Sequence, residues 1–368
     1  MLTPGFATAE GTARFRARHE SRLPGHFRQA NGLWISTIGL GTYLGDPTPA
    51  FDERYTEAVT RAVALGVNHF DSAINYRHQR SERSIAAALR NLFEAGTIRR
   101  DEVVIATKGG FLSFDGEEPE DPSAYFQERF IATGLIKPED VAAGCHVMSP
   151  KYLLNQIDQS RQNLGLETID IYYLHNPETQ LGEMARDEFK SRLCTAFEAL
   201  EKAAVDGKIR GYGTATWNAY RMNPDSRDSV SFADVLRAAE DAGGRDHHFR
   251  AVQLPFNLAM PEALTAPTQT WDGKSVSFLE IARARDLMVF ASASIMQGHL
   301  TQGLPPQIRN SFPALSTDAQ RAIQFVRSTP GITSALVGMS RREHVEENLA
   351  TAKAPPLTVE EFRGLFAK

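Results

Sequence analysis

Four ionisable residues stand at or just beyond the ends of three short apolar segments of the chain. The segments are Val67–Asp71, Val103–Lys108 and Ile169–His175. Apolar segments of this length predict buried parallel strands, and α/β folds build active sites at the carboxyl ends of such strands. An acid, a phenol, an amine and an imidazole gathered at one rim are suited to proton transfer. These candidate catalytic residues are Asp71, Tyr76, Lys108 and His175.

The order of the four groups indicates how they would act together. Neighbouring parallel strands lie ~4.8 Å apart, so Asp71 and Lys108 can pair. A cationic Lys108 would lower the pKa of Tyr76 from its ordinary value of about 10, which predicts Tyr76 as a general acid. A neutral His175 imidazole could donate a hydrogen bond to a carbonyl oxygen. Each residue alone is more often structural, and only their order on consecutive strands favours a site.

Strand and helix patterns alternate along the whole chain. The predicted strands are Ser36–Thr42, Val67–Asp71, Val103–Lys108, Ile169–His175, Gly211–Thr216, Ala251–Phe256, Leu287–Ser292 and Ser334–Gly338. Amphipathic helix patterns lie between them, at Glu53–Leu65, Ser81–Leu92, Lys151–Leu164, Thr195–Ala204, Phe278–Arg285, Ala319–Val326 and Glu343–Leu349. Repeated strand–helix units predict an α/β fold with a parallel sheet. Eight units fit a closed (β/α)8 TIM barrel, with a doubly wound sheet as the alternative. No linker interrupts residues 28–368, which predicts a single domain.

Two segments fall outside this repeat. Residues 1–27 show no strong pattern and are predicted to be an extended N-terminal arm, and Phe27–Thr42 is predicted to include a short hairpin that closes the barrel bottom. A long insertion, residues 109–150, follows the third strand and predicts a lid or a binding loop. The alternative is a solvated, partly disordered excursion, and its acidic stretch, Asp115–Pro122, is expected to be exposed. The aromatic residues of the insertion are Phe111, Phe114, Tyr125, Phe126 and Phe130.

The bulk composition is that of a globular enzyme. The chain of 368 residues is 42% hydrophobic and 23% charged, with a net charge of −5, and it shows no basic cluster of the kind that binds nucleic acid. No apolar run approaches the ~18 residues that would cross a membrane, and no secretory signal is visible. Cys145 and Cys194 have neither metal-binding nor redox-motif spacing. We therefore expect a cytoplasmic protein with no nucleic-acid partner, no membrane association and no metal.

A series of short motifs in a fixed order resembles one known family. The motifs are Ile38–Tyr43, Asp71–Tyr76 with Ser81-Glu82, Thr107-Lys108, Tyr173–Asn176, Gly207–Gly213, Val252–Asn257, and Gly338–Ser340 with Glu346–Asn348. Over roughly residues 28–350 the chain resembles the aldo-keto reductases, which are NAD(P)H-dependent (β/α)8-barrel enzymes. The resemblance implies that Tyr76 donates the proton. It also implies that Lys108 and Asp71 tune Tyr76, and that His175 orients the carbonyl.

The resemblance also implies where a nicotinamide cofactor would bind. Gly41-Thr42 and Asp71 would approach the nicotinamide ribose, Gln253 the carboxamide, Ser292–Gly298 the pyrophosphate, and Gly338–Asn348 the adenosine. The candidate cofactor-binding residues are Gly41, Thr42, Asp71, Thr216, Gln253, Ser292, Gln297, Gly298, Gly338, Ser340, Arg341, His344, Glu347 and Asn348.

The last of these segments also has a physical argument for binding an anion. Small residues lead from the eighth strand into a helix opened by Arg342-Glu343, and a helix N-terminus with nearby arginine attracts phosphate. Arg341 or Arg342 could pair with a 2′-phosphate, which favours NADP(H) over NAD(H). The alternative is that both arginines are simply solvated.

Three positions depart from the pattern of the family. The pair Ala215-Thr216 replaces the usual Ser-Asn, so the Thr216 hydroxyl would have to replace the amide. Ser292 stands where the family usually has a tyrosine stacked on the nicotinamide, a role that Trp217 or Phe290 could take over. His344 occupies a position that is often Arg or Gln in relatives, which bears on the phosphate preference.

These residues together predict an oxidoreductase that passes a hydride between NADP(H) and an aldehyde, ketone or sugar, with Tyr76 as general acid or base. The alternatives are an NADP(H)-binding, redox-sensing regulatory subunit with little turnover, and a barrel isomerase or lyase that uses no nicotinamide. The expected partner is a small-molecule carbonyl or sugar, and the expected state is a monomer or a weak homo-oligomer. The candidate substrate-wall residues are Tyr43, Phe111, Asn176 and Trp217, beside Tyr76 itself.

Overall fold

The computed structural model describes residues 1–366, and its centre is a closed barrel of eight parallel strands. Each strand is hydrogen-bonded to the next one along the chain, and the last closes on the first where Gly338 lies beside Gly41. The predicted TIM barrel is therefore confirmed, and the doubly wound alternative is wrong. The barrel strands, first to eighth, are Ile38–Gly41, His69–Asp71, Val104–Gly109, Ile169–His175, Ile209–Ala215, Phe249–Pro255, Met288–Ser292 and Ser334–Gly338.

Helices surround the barrel in the predicted alternation. They are Pro49–Ala64, Arg80–Glu94, Pro150–Leu164, Arg186–Val205, Phe232–Gly243, Phe278–Ala284, Asp318–Ser328 and Arg342–Leu349. Sequence analysis missed Phe232–Gly243, although Ser231 caps it by accepting from the Asp234 N–H, and it buries Phe232, Val235 and Leu236 on one face. A serine followed by apolar residues at this spacing is an ordinary helix-start signal.

The core has two layers, as the barrel geometry requires. Inside the barrel, apolar side chains such as Ile171, Tyr173 and Phe290 fill the interior, and outside it the strands pack on the helices. A hairpin of Phe27–Ala30 and Leu33–Ser36 adds Ala30 and Ile35 to the interior cluster. The hairpin is thus confirmed, and its Asn-Gly turn has the positive φ values at both residues that a tight two-residue hairpin needs.

The predicted extended conformation of residues 1–27 is wrong, because Ala9–His19 is a helix. Phe15 is its one large buried apolar residue, so the sequence carries no helical stripe. Tertiary contacts stabilise the helix instead: Arg14 and Arg18 both bind the buried carboxylate of Glu102. A helix that depends on distant partners in this way is invisible to periodicity.

The insertion of residues 109–150 is folded against the barrel. It contains a short helix, Pro122–Phe126, a single π-helical turn, Gln127–Ile131, a 3-10 turn, Pro138–Asp140, and a two-stranded ribbon of Val141–Ala142 with His146–Val147. Its aromatic rings contact one another edge to face in series, from Phe114 through Tyr125 and Phe130 to Tyr152 of the following helix. The disordered alternative is therefore wrong, while the acidic stretch is mostly exposed as expected.

The remaining elements are peripheral. They are the ribbon of Gln269–Trp271 with Lys274–Val276 and the short helices Glu262–Thr265, Pro306–Ser311 and Val359–Gly364. Within residues 1–366, no helix has both the length and the apolar character that crossing a membrane requires. The same residues contain no cluster of three His, Cys, Asp or Glu side chains placed to hold a metal ion.

Candidate active site

The second and third barrel strands place Asp71 and Lys108 in contact at the carboxyl rim. Lys108 Nζ lies 2.6 Å from Asp71 Oδ2 and donates a second hydrogen bond to the Ser72 carbonyl oxygen at 2.7 Å. Gln253 Nε2 donates to the other carboxylate oxygen of Asp71 at 2.7 Å. Burial opposes the charge on Lys108, but Asp71 and Tyr76 outweigh it and raise the Lys108 pKa above 10.5, so the amine stays cationic. The predicted pairing is therefore present in the structure.

The cation lies against Tyr76, with its nitrogen 4.7 Å from the centre of the aromatic ring. Burial raises the pKa of Tyr76 above 10.0, and Lys108 lowers it by less than burial raises it. The predicted net lowering of the Tyr76 pKa is therefore wrong, because the sequence showed the charge but not the enclosure. In this protein the phenol stays protonated throughout the neutral range.

The chain leaves Tyr76 through a left-handed turn. Arg77, His78 and Gln79 all have positive φ values, of 50°, 53° and 70°. Such a conformation costs a non-glycine residue ~1–2 kcal/mol, so the turn needs support from its surroundings. Arg77 supplies part of it by donating to Asp52 at 2.6 Å, and the insertion supplies another part through the Phe114 carbonyl, which accepts from the Gln79 amide.

His175 ends the fourth strand beside Tyr76, with the two ring centres 5.9 Å apart. Burial and the nearby Lys108 charge lower the His175 pKa well below 6.5, so the imidazole is neutral near pH 7, as predicted. Its Nδ1 is buried and without a hydrogen-bond partner. The ring packs edge to face on Phe111, the first aromatic residue of the insertion.

A cavity of about 960 Å³ opens above these residues. Its lining includes nearly every residue predicted to act on cofactor or substrate, from all eight strand ends. Lys108 is fully buried beneath the cavity and does not line it, so it contacts the cavity only through Asp71 and Tyr76. The predicted residues that line the cavity are Gly41, Thr42, Tyr43, Asp71, Tyr76, Phe111, His175, Asn176, Thr216, Trp217, Gln253, Ser292, Gln297, Gly298, Gly338, Ser340, His344, Glu347 and Asn348.

The two arginines predicted for a 2′-phosphate are placed differently. Arg341 is exposed and is not among the lining residues. Arg342 lies on the surface, where it pairs with Glu346 and Glu57. The structure therefore does not bring either guanidinium into the cavity, and the adenosine end of the proposed site is lined by Ser340, His344, Glu347 and Asn348 instead.

The loop after the seventh strand has an unusual backbone. Ala293, Met296 and Gln297 have φ values of 52°, 49° and 52°, and Gly298 follows at 95°. Two N–H groups of this loop bond within it, from Met296 to the Ala293 carbonyl at 2.7 Å and from Gly298 to the Ile295 carbonyl at 3.0 Å. The loop lies where the pyrophosphate was predicted to bind.

The two residues predicted to replace the stacking tyrosine, Phe290 and Trp217, lie in different places. Phe290 is fully buried in the barrel interior, packed on His69 and Tyr173, and does not reach the cavity. Trp217 lines the cavity and is 44% exposed. Its backbone N–H donates to the buried carboxylate of Glu178 at 2.6 Å, which positions the loop after the fifth strand.

Comparison with known proteins identifies the family of the chain. The profile of the Aldo/keto reductase family matches residues 37–233. The chain belongs to the aldo/keto reductase family. It is 22% identical over 358 residues to an oxidoreductase of Bacillus subtilis, YqkF, covering 90% of this chain and 92% of that protein. It is 23% identical over 373 residues to L-glyceraldehyde 3-phosphate reductase of Escherichia coli O157:H7, covering 90% of this chain and 88% of that enzyme.

The fold of this aldo/keto reductase is shared with a solved structure from Klebsiella pneumoniae. That aldo/keto reductase, in complex with NADP and acetate, superposes with a TM-score of 0.60 at 21% identity, covering 93% of this chain and 94% of its own.

Sequence reasoning missed several residues of this aldo/keto reductase's cavity. Asn75 and Leu44 directly neighbour predicted residues, so proximity in the chain was a usable signal. Ala215 and Leu336 lie on barrel strands, and the others lie on loops and helices with no motif of their own. The missed lining residues are Leu44, Tyr55, Asn75, Ala215, Thr301, Gln302, Ala319 and Leu336, whereas Ala293, Ser294 and Ile295 lie within the predicted segment Ser292–Gly298.

Proposed function

We propose that this protein is an NADP(H)-dependent oxidoreductase that interconverts a carbonyl compound and an alcohol. One observation carries the proposal: the protonated phenol of Tyr76 and the neutral imidazole of His175 face one cavity, above a buried ion pair of Lys108 and Asp71. Groups of these types, in these protonation states, can hold a carbonyl oxygen and protonate it.

Each residue has a distinct part in that reaction. His175 would donate a hydrogen bond to the substrate oxygen, and Tyr76 would deliver its proton to the same oxygen as negative charge develops there. A phenol is far more acidic than an aliphatic alcohol, so this transfer is favourable even with the raised Tyr76 pKa. Lys108, kept cationic by Asp71, would stabilise the phenolate that remains.

The residues of the cavity fit a nicotinamide dinucleotide. When bound, NADPH would supply the hydride for the carbonyl carbon. The loop of Ser292–Gly298 lines the cavity at the proposed pyrophosphate position, and Trp217 offers an aromatic face in place of the usual tyrosine. The preference for NADP(H) is supported by Ser340 and His344 as donors at the adenosine end, and by NADP in the neighbouring structure.

The walls of the cavity favour an uncharged substrate with an apolar or sugar-like face. Tyr43, Phe111 and Trp217 line the half next to Tyr76, and Tyr43 is 56% exposed at the mouth. Asn176 adds a polar group that suits a hydroxyl. Aldehydes, ketones and sugars therefore remain the proposed substrates, in a monomer or weak homo-oligomer in the cytoplasm.

The direct test measures NADPH oxidation by the purified protein with a panel of aldehydes, ketones and sugars. Tyr76→Phe removes only the hydroxyl, so we expect kcat to fall about 10²–10⁴-fold. The dissociation constants of NADPH and NADH, measured by fluorescence titration, should be unchanged in this variant.

Two outcomes would contradict the proposal. Tight NADPH binding with no turnover of any carbonyl would favour the regulatory subunit. A Tyr76→Phe variant as active as the wild type would remove the phenol from the reaction.

A further inference from the structure

The insertion contributes a buried histidine that the proposed reaction does not use. His146 lies in the ribbon Val141–Val147 and is fully buried, and its Nε2 lies 2.7 Å from the carbonyl oxygen of His175. Gly110 leaves the space for this contact, since a Cβ there would lie 2.9 Å from the imidazole nitrogen and 3.3 Å from the carbonyl oxygen. The insertion thus touches the main chain of the residue that would orient the substrate.

The surroundings of His146 determine which ring nitrogen carries the proton. Arg192, which can only donate, binds Gln180 Oε1 at 3.2 Å, so the amide nitrogen of Gln180 must face the other way. That nitrogen lies 2.9 Å from His146 Nδ1 and therefore donates to it. With Nδ1 accepting, the proton of the neutral imidazole is on Nε2, which donates to the His175 carbonyl.

The His175 carbonyl needs this donor because the strand ends there. The next residue, Asn176, is left-handed with φ 45° and ψ 57°, so the chain turns sharply out of the sheet. The Asn176 N–H still donates to the Ala215 carbonyl at 2.6 Å. A buried carbonyl without a donor costs free energy, so His146 stabilises the backbone at the point where the His175 side chain is aimed.

His146 also determines the place of one cavity wall. The Phe111 ring packs edge to face between His146 and His175, with its centre 5.0 Å from each imidazole. An isolated backbone bridge joins Phe111 to His146 as well. One buried imidazole therefore contacts both the residue that would orient the carbonyl and the aromatic wall beside it.

We propose that His146 is a positioning residue that aligns the His175 imidazole and the Phe111 ring with the substrate carbonyl. The inference rests on the proposed function, which it deepens by making the insertion a brace for the site. Hydrogen bonds from Arg192 to Gln180 and from Gln180 to His146 connect the helix Arg186–Val205 to this part of the carboxyl rim.

A pair of substitutions tests the proposal kinetically. His146→Phe keeps an aromatic ring beside Phe111 but removes the donor, and His146→Gln retains a donor near the position of Nε2. We expect kcat for carbonyl reduction to fall about 10–100-fold in His146→Phe, because small misplacements of reacting groups are costly. The KM for the carbonyl should rise and the NADPH dissociation constant should stay within about twofold. His146→Gln should recover most of the lost kcat.

The matched control is His26→Phe. His26 is also fully buried and contacts a backbone carbonyl, that of Gly66 at 3.2 Å, but it lies beside the hairpin at the barrel bottom. The control should lose stability without losing kcat. A wild-type kcat and KM in His146→Phe would overturn the proposal, as would equal losses of kcat in His146→Phe, His146→Gln and His26→Phe.

A second measurement needs no turnover. Selective ¹⁵N labelling of histidine reports the ring protonation of His146 and His175 in the cofactor-free protein. We expect His146 to be protonated on Nε2 alone between pH 5 and 8, because burial lowers its pKa to about 4. The His175 ring signals should shift in His146→Phe and stay unchanged in His26→Phe.

The ring signals test the positioning role of His146 separately from the proposed function. If the wild type reduces no carbonyl, the proposed function fails, and the ring signals still decide on the positioning role. Unchanged His175 signals in His146→Phe, or a proton on His146 Nδ1, would overturn it.

Discussion

Tyr76 is the residue on which proton transfer would depend, and opposing influences act on its phenol. Burial raises its pKa, the Lys108 charge lowers it, and the Asp71 carboxylate raises it again. Burial outweighs the cation, so the phenol holds its proton at neutral pH. This state suits the reduction of a carbonyl, whereas alcohol oxidation needs the phenolate.

The pH dependence of the two directions should therefore differ. The proton-donating form of Tyr76 is present below its pKa, which lies above 10.0, so kcat for reduction should show no loss from pH 6 to pH 9. The neutral form of His175 is present above its pKa, which lies well below 6.5, so no acid limb should appear near pH 6.5. The rate of alcohol oxidation should rise with pH across the same interval. Steady-state kcat at saturating cofactor measures both profiles.

An alkaline loss of reduction centred near pH 7–8, absent from Tyr76→Phe, would show that the Tyr76 pKa is lowered after all. The same buffers without enzyme control for the decay of NADPH at low pH.

At the scale of elements, the turn after Tyr76 depends on parts of the chain that are distant in sequence. Asp52, in the first turn of the helix Pro49–Ala64, binds both Arg77 and Arg80. The insertion adds a backbone bond from Gly116 N–H to the His78 carbonyl at 2.8 Å. These contacts help to offset the strain of three consecutive left-handed residues.

Asp52→Ala tests this support. It leaves the nearly buried Arg77 guanidinium without its carboxylate, so we expect the free energy of unfolding to fall by about 1–3 kcal/mol. Because the turn carries Tyr76, kcat should also fall roughly threefold to tenfold, with cofactor affinity retained. Urea unfolding and steady-state kinetics measure the two effects.

Asp206→Ala is the matched control, since it breaks an ion pair with Lys202 on the exposed surface. Exposed pairs contribute little, so this variant should match the wild type in both measurements. A stable Asp52→Ala with normal kcat would show that the turn keeps its shape unaided.

At the scale of the whole molecule, the described part of the chain lines the cavity with acidic side chains but not with the basic side chains of lysine or arginine. None of its lining residues among those that the structure describes is a lysine or an arginine, whereas Asp71 and Glu347 are acidic. The barrel buries Lys108 beneath the rim, where Asp71 balances its charge. In the half of the cavity beside Tyr76, which Tyr43, Phe111 and Trp217 line, an anionic group on a substrate would therefore lose its hydration without gaining a cationic partner.

We accordingly expect the protein, if it reduces carbonyls as proposed, to prefer neutral aldehydes. The value of kcat/KM for glyceraldehyde should exceed that for glyceraldehyde 3-phosphate by at least about tenfold, which corresponds to ~1.4 kcal/mol. Steady-state measurement of kcat/KM for both aldehydes, at low and at high salt, checks this prediction. A faster reaction with the phosphorylated aldehyde, weakened by salt, would reveal a cation that closes over the cavity.

The limits of sequence reasoning follow the same scales. The strand-end residues Asp71, Lys108 and His175 were found because a strand is a local pattern, and parallel strands all end at one rim. His146 carried no signal, because its role depends on Gln180 and Arg192, which lie 34 and 46 residues further along the chain. The helix Ala9–His19 was missed for the same reason.

The alternation of apolar segments with helical stripes was enough to define the barrel, since both patterns depend on near neighbours in the chain. The order of polar residues at the strand ends was enough to predict the catalytic residues of the proposed reaction. Whether Tyr76 is more or less acidic than a free phenol was decided only by the packed structure, because burial depends on everything that surrounds the ring. The position of Arg341 outside the cavity and the contact of His146 with His175 were decided there too, by the paths of the loops.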